Sequence, residues 1–75
     1  KRKLTFKQQQ ELEQLPERIE QLEAEHRALY ERMADPELYR QDGTAVTQIK
    51  ARYEEIEREL ALLYERWQEL EEIGC

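Results

Sequence analysis

Two heptad runs, joined by a segment that no continuous helix would carry, dominate this sequence. Leu12, Leu15, Ile19, Leu22, His26, Leu29 and Met33 follow one another at alternating steps of three and four residues, with His26 the single polar member. Val46, Ile49, Tyr53, Ile56, Leu60, Leu63, Trp67 and Leu70 repeat the pattern with an apolar or aromatic residue at every position. Side chains so spaced line one stripe of a helix, and that stripe needs a second helix to cover it. Between the runs lies ADPELYRQDGT, residues 34–44. In a helix interior Pro36 would cost ~3 kcal/mol and Gly43 roughly 1 more, so the chain is predicted to turn there. A short connection makes the two helices antiparallel neighbours. The expected fold class is all-α: one antiparallel two-helix coiled-coil hairpin over residues 1–75.

Local signals refine this. Thr5-Phe6-Lys7-Gln8 has the form of a capping box, so the first helix is expected over about 6–34, with a kink near Pro16. Asp35-Pro36 reads as an N-cap followed by proline at the first helical position, opening a single turn, α or 3₁₀, over 36–40. Leu38 and Tyr39 would then fold over the open end of the seam. Asp42-Gly43-Thr44 supplies a turn, and Thr44 is placed to cap a second helix over about 45–73. Two registers satisfy antiparallel heptad pairing. The favoured one sets Leu12 against Leu70, Leu22 against Leu60 and Met33 against Ile49, whereas the other sets Met33 against Asp42 and Trp67 against Gln8.

Charge is abundant and unevenly placed. Charged residues make up 40% of the chain, the formal net charge is −6 and the mean hydropathy is −1.06, so only the ordered placement of apolar residues separates this sequence from a disordered one. Lys1, Arg2, Lys3 and Lys7 face no acid within residues 1–10. Residues 27–52 hold five cations, Arg27, Arg32, Arg40, Lys50 and Arg52, against four acids. The shaft segments 11–26 and 53–75 carry fourteen acids against three arginines. Phosphates are repelled by such a shaft, which leaves the two basic clusters as candidate nucleic-acid contacts: Lys1, Arg2, Lys3 and Lys7 at one end, Arg32, Arg40, Lys50 and Arg52 at the other. Tyr39 beside Arg40 adds a ring able to stack on a base. Antiparallel pairing also brings Glu69–Glu72 beside the N-terminal cations, where they would mask them.

Catalytic chemistry finds no support. Glycines at 43 and 74 alone cannot form a phosphate-cradling loop, and one His with one Cys cannot hold zinc. Pairs such as Glu54-Glu55 and Glu71-Glu72 read as a solvated helix face, His26 as a polar core residue that fixes register, and Tyr53 and Trp67 as core. No metal site and no cofactor are expected in these residues. The lone Cys75 suits a reducing compartment, no apolar run reaches the ~18 residues that cross a membrane, and KRK is followed by no apolar leader stretch. The chain opens without methionine, as an excised piece would. The competing reading is a structural arm that meets a protein through off-seam Tyr30, Leu62, Tyr64 and Ile73, with weak self-association a further expectation.

Four elements carry a family resemblance over roughly residues 1–72: the K-L-T-F-K start, the L-P junction at 15–16, A-D-P-x-x-Y at 34–39 and R-W-x-E-L-E at 66–71. In that order they resemble the C-terminal domain of Uup-type ABC-F ATPases. The resemblance implies a cytoplasmic bacterial protein with two tandem ATP-binding cassettes and no transmembrane domain, acting around the ribosome and nucleic acid. It further implies a non-catalytic coiled-coil appendage with a 3₁₀ segment near its turn, associated with DNA binding, while ATP and magnesium belong to the cassettes. Expected partners are therefore DNA or RNA, the ribosome, and the ATPase domains of the same chain.

Overall fold

The computed structural model describes residues 3–41 and 43–74. Its helices are α1 (Phe6–Met33), α2 (Pro36–Gln41) and α3 (Gly43–Gly74), with α1 and α3 packed against each other as an all-α helical hairpin. The rod measures 56 × 16 × 15 Å.

The capping box opens α1. Thr5 Oγ1 accepts the Gln8 N–H at 3.1 Å, and Gln8 Oε1 accepts the Thr5 N–H at 3.0 Å. α1 continues as helix through Pro16, whose ring lies on the water side. The proline leaves the Leu12 carbonyl without its helical donor while displacing nothing in the seam. At the far end the Ala34 N–H reaches the Tyr30 carbonyl at 3.1 Å and the Asp35 N–H reaches Arg32 at 3.2 Å. Asp35 Oδ1 then accepts the Glu37 N–H at 2.9 Å, capping α2 with Pro36 at its first position.

The tip differs from expectation in three respects. The segment from Pro36 is α-helical and runs to Gln41, so the 3₁₀ alternative does not hold. Leu38 is half-buried but Tyr39 is 57% exposed, so only the leucine turns toward the seam. α3 begins at Gly43, which puts Thr44 inside the first turn rather than at the cap; there Thr47 Oγ1 donates to the Gly43 carbonyl at 3.2 Å. Asp42 of the expected turn lies outside the described residues.

Leu15, Ile19 and Leu22 of α1 are buried together with Ile49, Ile56 and Leu70 of α3, and the remaining seam residues are half-buried. No polar side chain is buried among the described residues. At the open end of the hairpin, opposite the tip, an added Cβ at Gly74 would stand 3.2 Å from Leu4 Cδ1, so the missing side chain lets Leu4 close over the end of α3.

The two edges of the seam are unlike. On one, Glu11 meets Arg66 at 2.7 Å, Arg18 meets Glu59 at 2.9 Å and Glu25 meets Arg52 at 2.7 Å, one ion pair per heptad. The order along α1 is acid, base, acid, and the partners on α3 mirror it. A slip of one heptad in either direction would oppose like charges, so this edge selects the register. On the other edge Tyr64 Oη donates to Glu23 at 2.7 Å. That bond excludes the register pairing Trp67 with Gln8, in which its partners would be offset by about twelve residues, roughly 18 Å of helix. The two edges depart in opposite senses from the level pairing that sets Leu12 against Leu70.

Hydrogen bonds from Arg52 and Arg66 hold the Glu25 and Glu11 carboxyls below their ordinary value of 4.5. A carboxyl with a depressed folded pKa contributes stability that is present above its unfolded pKa and lost as pH falls through the folded one. Glu25→Gln is therefore expected to melt below the parent chain at pH 7. That gap should close as pH drops below about 4.5. A gap independent of pH, read from thermal melts at 222 nm, would show that the ion pair is not its origin.

Candidate nucleic-acid interface

The hairpin divides its cations into two classes. Arg18, Arg52 and Arg66 are held in the seam by carboxylates of the opposite helix. Arg52, one of the four tip candidates, is bound twice by Glu25, at 2.7 and 2.9 Å, and again by Glu55. A phosphate there would have to displace two carboxylates, which sets Arg52 apart from the other candidates. Arg40 carries an exposed pair with Glu37 at 3.3 Å, a contact of little strength in water. Arg32 and Lys50 are exposed and make no ion pair among the described residues, and the same holds for Lys3 and Lys7 at the other end and for Arg58, alone on the acidic shaft. Lys1 and Arg2 lie outside the described residues.

The tip candidates do not share one face. Arg32 follows Glu25 by one heptad and so lies on the ion-paired edge, whereas Lys50 precedes Glu57 by one heptad on the other, open edge, that of the Tyr64–Glu23 bond. Arg27, absent from the sequence-based candidates, is also exposed and unpaired among the described residues. It lines an open groove of about 530 Å³ with Glu23, His26, Tyr30, Tyr53 and Leu60. Its position within the basic 27–52 stretch, three residues before the off-seam Tyr30, was the available signal. In this groove His26 stacks on Tyr53 at 4.0 Å, and Tyr30 lies 6.4 Å from the same ring. His26 Nε2 stands 3.3 Å from Glu57 Oε2 but is not aligned for a hydrogen bond. Burial pushes the Tyr53 hydroxyl pKa up.

Among the described residues the expected acidic mask shows no ion pair; Lys1 and Arg2, half of the cations concerned, lie outside them. Glu69 pairs with Arg66 at 3.6 Å, and Glu71 and Glu72 make no ion pair with Lys3 or Lys7. Among the described residues no cluster of His, Cys, Asp or Glu is arranged to hold a metal, and no helix is long and apolar enough to cross a membrane.

Comparison with known proteins places these features in a lineage. The family model described as the ABC transporter C-terminal domain matches residues 3–72. An ATP-binding protein Uup-like of Haemophilus influenzae is 41% identical over 70 residues, covering 93% of this chain and 15% of the relative. The ATP-binding protein Uup of the same organism is 41% identical over 93% of this chain and 11% of its own length. The Escherichia coli ATP-binding protein Uup is 39% identical over 71 residues, 95% of this chain and 11% of its own. The chain thus spans between 11% and 15% of the length of these relatives. No solved structure matches. A capped, ion-paired hairpin matched along nearly its whole length in this way belongs to the ABC transporter C-terminal domain family, as the C-terminal domain of a Uup-type ABC protein.

Proposed function

We propose that this hairpin is a non-catalytic accessory domain through which an ABC ATP-binding protein holds nucleic acid, DNA in the first instance, by phosphate contacts at its tip. The observation that carries the reading is the division of cations. Seam arginines are neutralised by carboxylates, while Arg27, Arg32 and Lys50, in the same third of the chain as the weakly held Arg40, stand exposed and unpaired among the described residues. The exposed rings of Tyr30 and Tyr39 in the same region offer stacking surfaces to unpaired bases. Lys3 and Lys7 form a second, separate cationic end, close to the acids of the α3 C-terminus. Contacts of this kind favour any phosphate backbone and carry little sequence preference.

The test is a titration of ¹⁵N-labelled protein with short duplex DNA at two salt concentrations. Amide shifts are expected to cluster at 27–50 and to vanish at high salt. Shifts confined to 3–7 would move the interface to the open end, and no shift even at low salt would overturn the reading.

A second reading is an interaction arm that contacts the ATPase domains of the same chain, the ribosome or another copy of itself. It is favoured by the exposure of Leu62 (66%) and Phe6 (76%), large apolar side chains that lie off the seam.

A further inference from the structure

The open edge of the seam carries a second groove, nearer the ends of the hairpin. Its volume is about 500 Å³, and Tyr64, Trp67, Gln68, Glu71 and Glu72 line it. All five lie on one face of α3, at helical steps of three, one, three and one. The Tyr64 and Trp67 rings are parallel within 12°, with centroids 6.4 Å apart. Tyr64 is fixed in that pose from the other helix, because its hydroxyl donates to Glu23. The same hydrogen bond is the largest cause raising the Tyr64 hydroxyl pKa. One turn further on, Glu71 and Glu72 are exposed and make no ion pair among the described residues, although the chain places arginines against Glu11, Glu25, Glu59 and Glu69.

We propose that this face is a docking site for an arginine-bearing basic segment of a protein partner. The charge pattern selects that occupant. Two carboxylates that no described cation neutralises, beside a pair of ring faces, attract a cation and repel a phosphate backbone. A guanidinium is favoured over an ammonium because it is planar, weakly hydrated and able to stack on a ring while its N–H groups fork to a carboxylate. Gln68 adds an amide able to bond the peptide backbone of the segment. The proposal rests on the interaction-arm reading and narrows it to one face and one ligand chemistry. It is separate from the tip and its phosphate contacts.

Trp67 is the single tryptophan of the chain, so its fluorescence reports on this one position. The probe is acetylated tetra-arginine amide, with tetra-lysine amide as the comparison. Tetra-arginine is expected to change Trp67 emission in a saturable way. The double variant Glu71→Gln, Glu72→Gln should bind it about fivefold more weakly, since two exposed charge contacts are lost. Both glutamates are exposed and unpaired among the described residues, so the variant is expected to keep its fold, which the helical signal at 222 nm verifies. An unchanged Trp67 emission overturns the site. So does a response of equal affinity in the double variant, and equal binding of tetra-lysine overturns the choice of arginine. None of these results removes the interaction-arm reading, which stands or falls on contact through the exposed Leu62.

Discussion

Replacing Ile56 by alanine is expected to lower the unfolding free energy by about 2–5 kcal/mol, measured by urea unfolding followed at 222 nm. Ile56 is 0% exposed on α3, and Leu22 on α1 is 1% exposed, so little surrounding structure is free to collapse into the space left behind. Folded domains are stabilised by only ~0.05–0.15 kcal/mol per residue, so in a chain this short the loss is a large share of the total. The same change at Leu62, which is exposed, should have almost no effect. A shift below about 0.5 kcal/mol at Ile56 would mean that the seam is not what holds the hairpin together.

Raising salt from about 50 to about 200 mM is expected to weaken duplex DNA binding on the order of 100-fold. That figure follows from a slope of roughly −0.9 per neutralised phosphate, if a duplex laid across the tip so as to reach both edges neutralises about four phosphates there. Removing two tip cations, in the double variant Arg32→Ala, Lys50→Ala, should flatten the slope by about 2. Arg52→Ala provides the contrast. Its guanidinium is held by Glu25 and Glu55, so its loss should lower the melting temperature and leave the slope unchanged. A slope that changes equally in both variants would show that the division between seam and tip cations does not govern binding.

The helices were legible in the sequence because a 3.5-residue period, a capping box and Asp35-Pro36 are each local signals with one physical meaning. The edge asymmetry was not read from the heptads, although its code was present: residues 11, 18 and 25 are Glu, Arg, Glu, and residues 52, 59 and 66 are Arg, Glu, Arg. Seam positions reveal that two helices meet, but only the flanking charges reveal which residues lie level. The start of α3 at Gly43 escaped because a glycine in a helical turn has no signature of its own, whereas Thr44 advertises a cap. Arg52 was indistinguishable from Lys50 in a count of charges. Two positions apart on a helix, they point to opposite edges, and only one meets a carboxylate of α1.

Leu4 closes over Gly74, so the first and last described turns share one end of the 56 Å rod. A body fastened there would carry the hairpin as a boom. Turning that body by about 10° sweeps the far end through roughly 10 Å, a displacement comparable to a helix diameter. The length of the rod alone does the enlarging, so a small rotation at the base would become a large displacement at the tip.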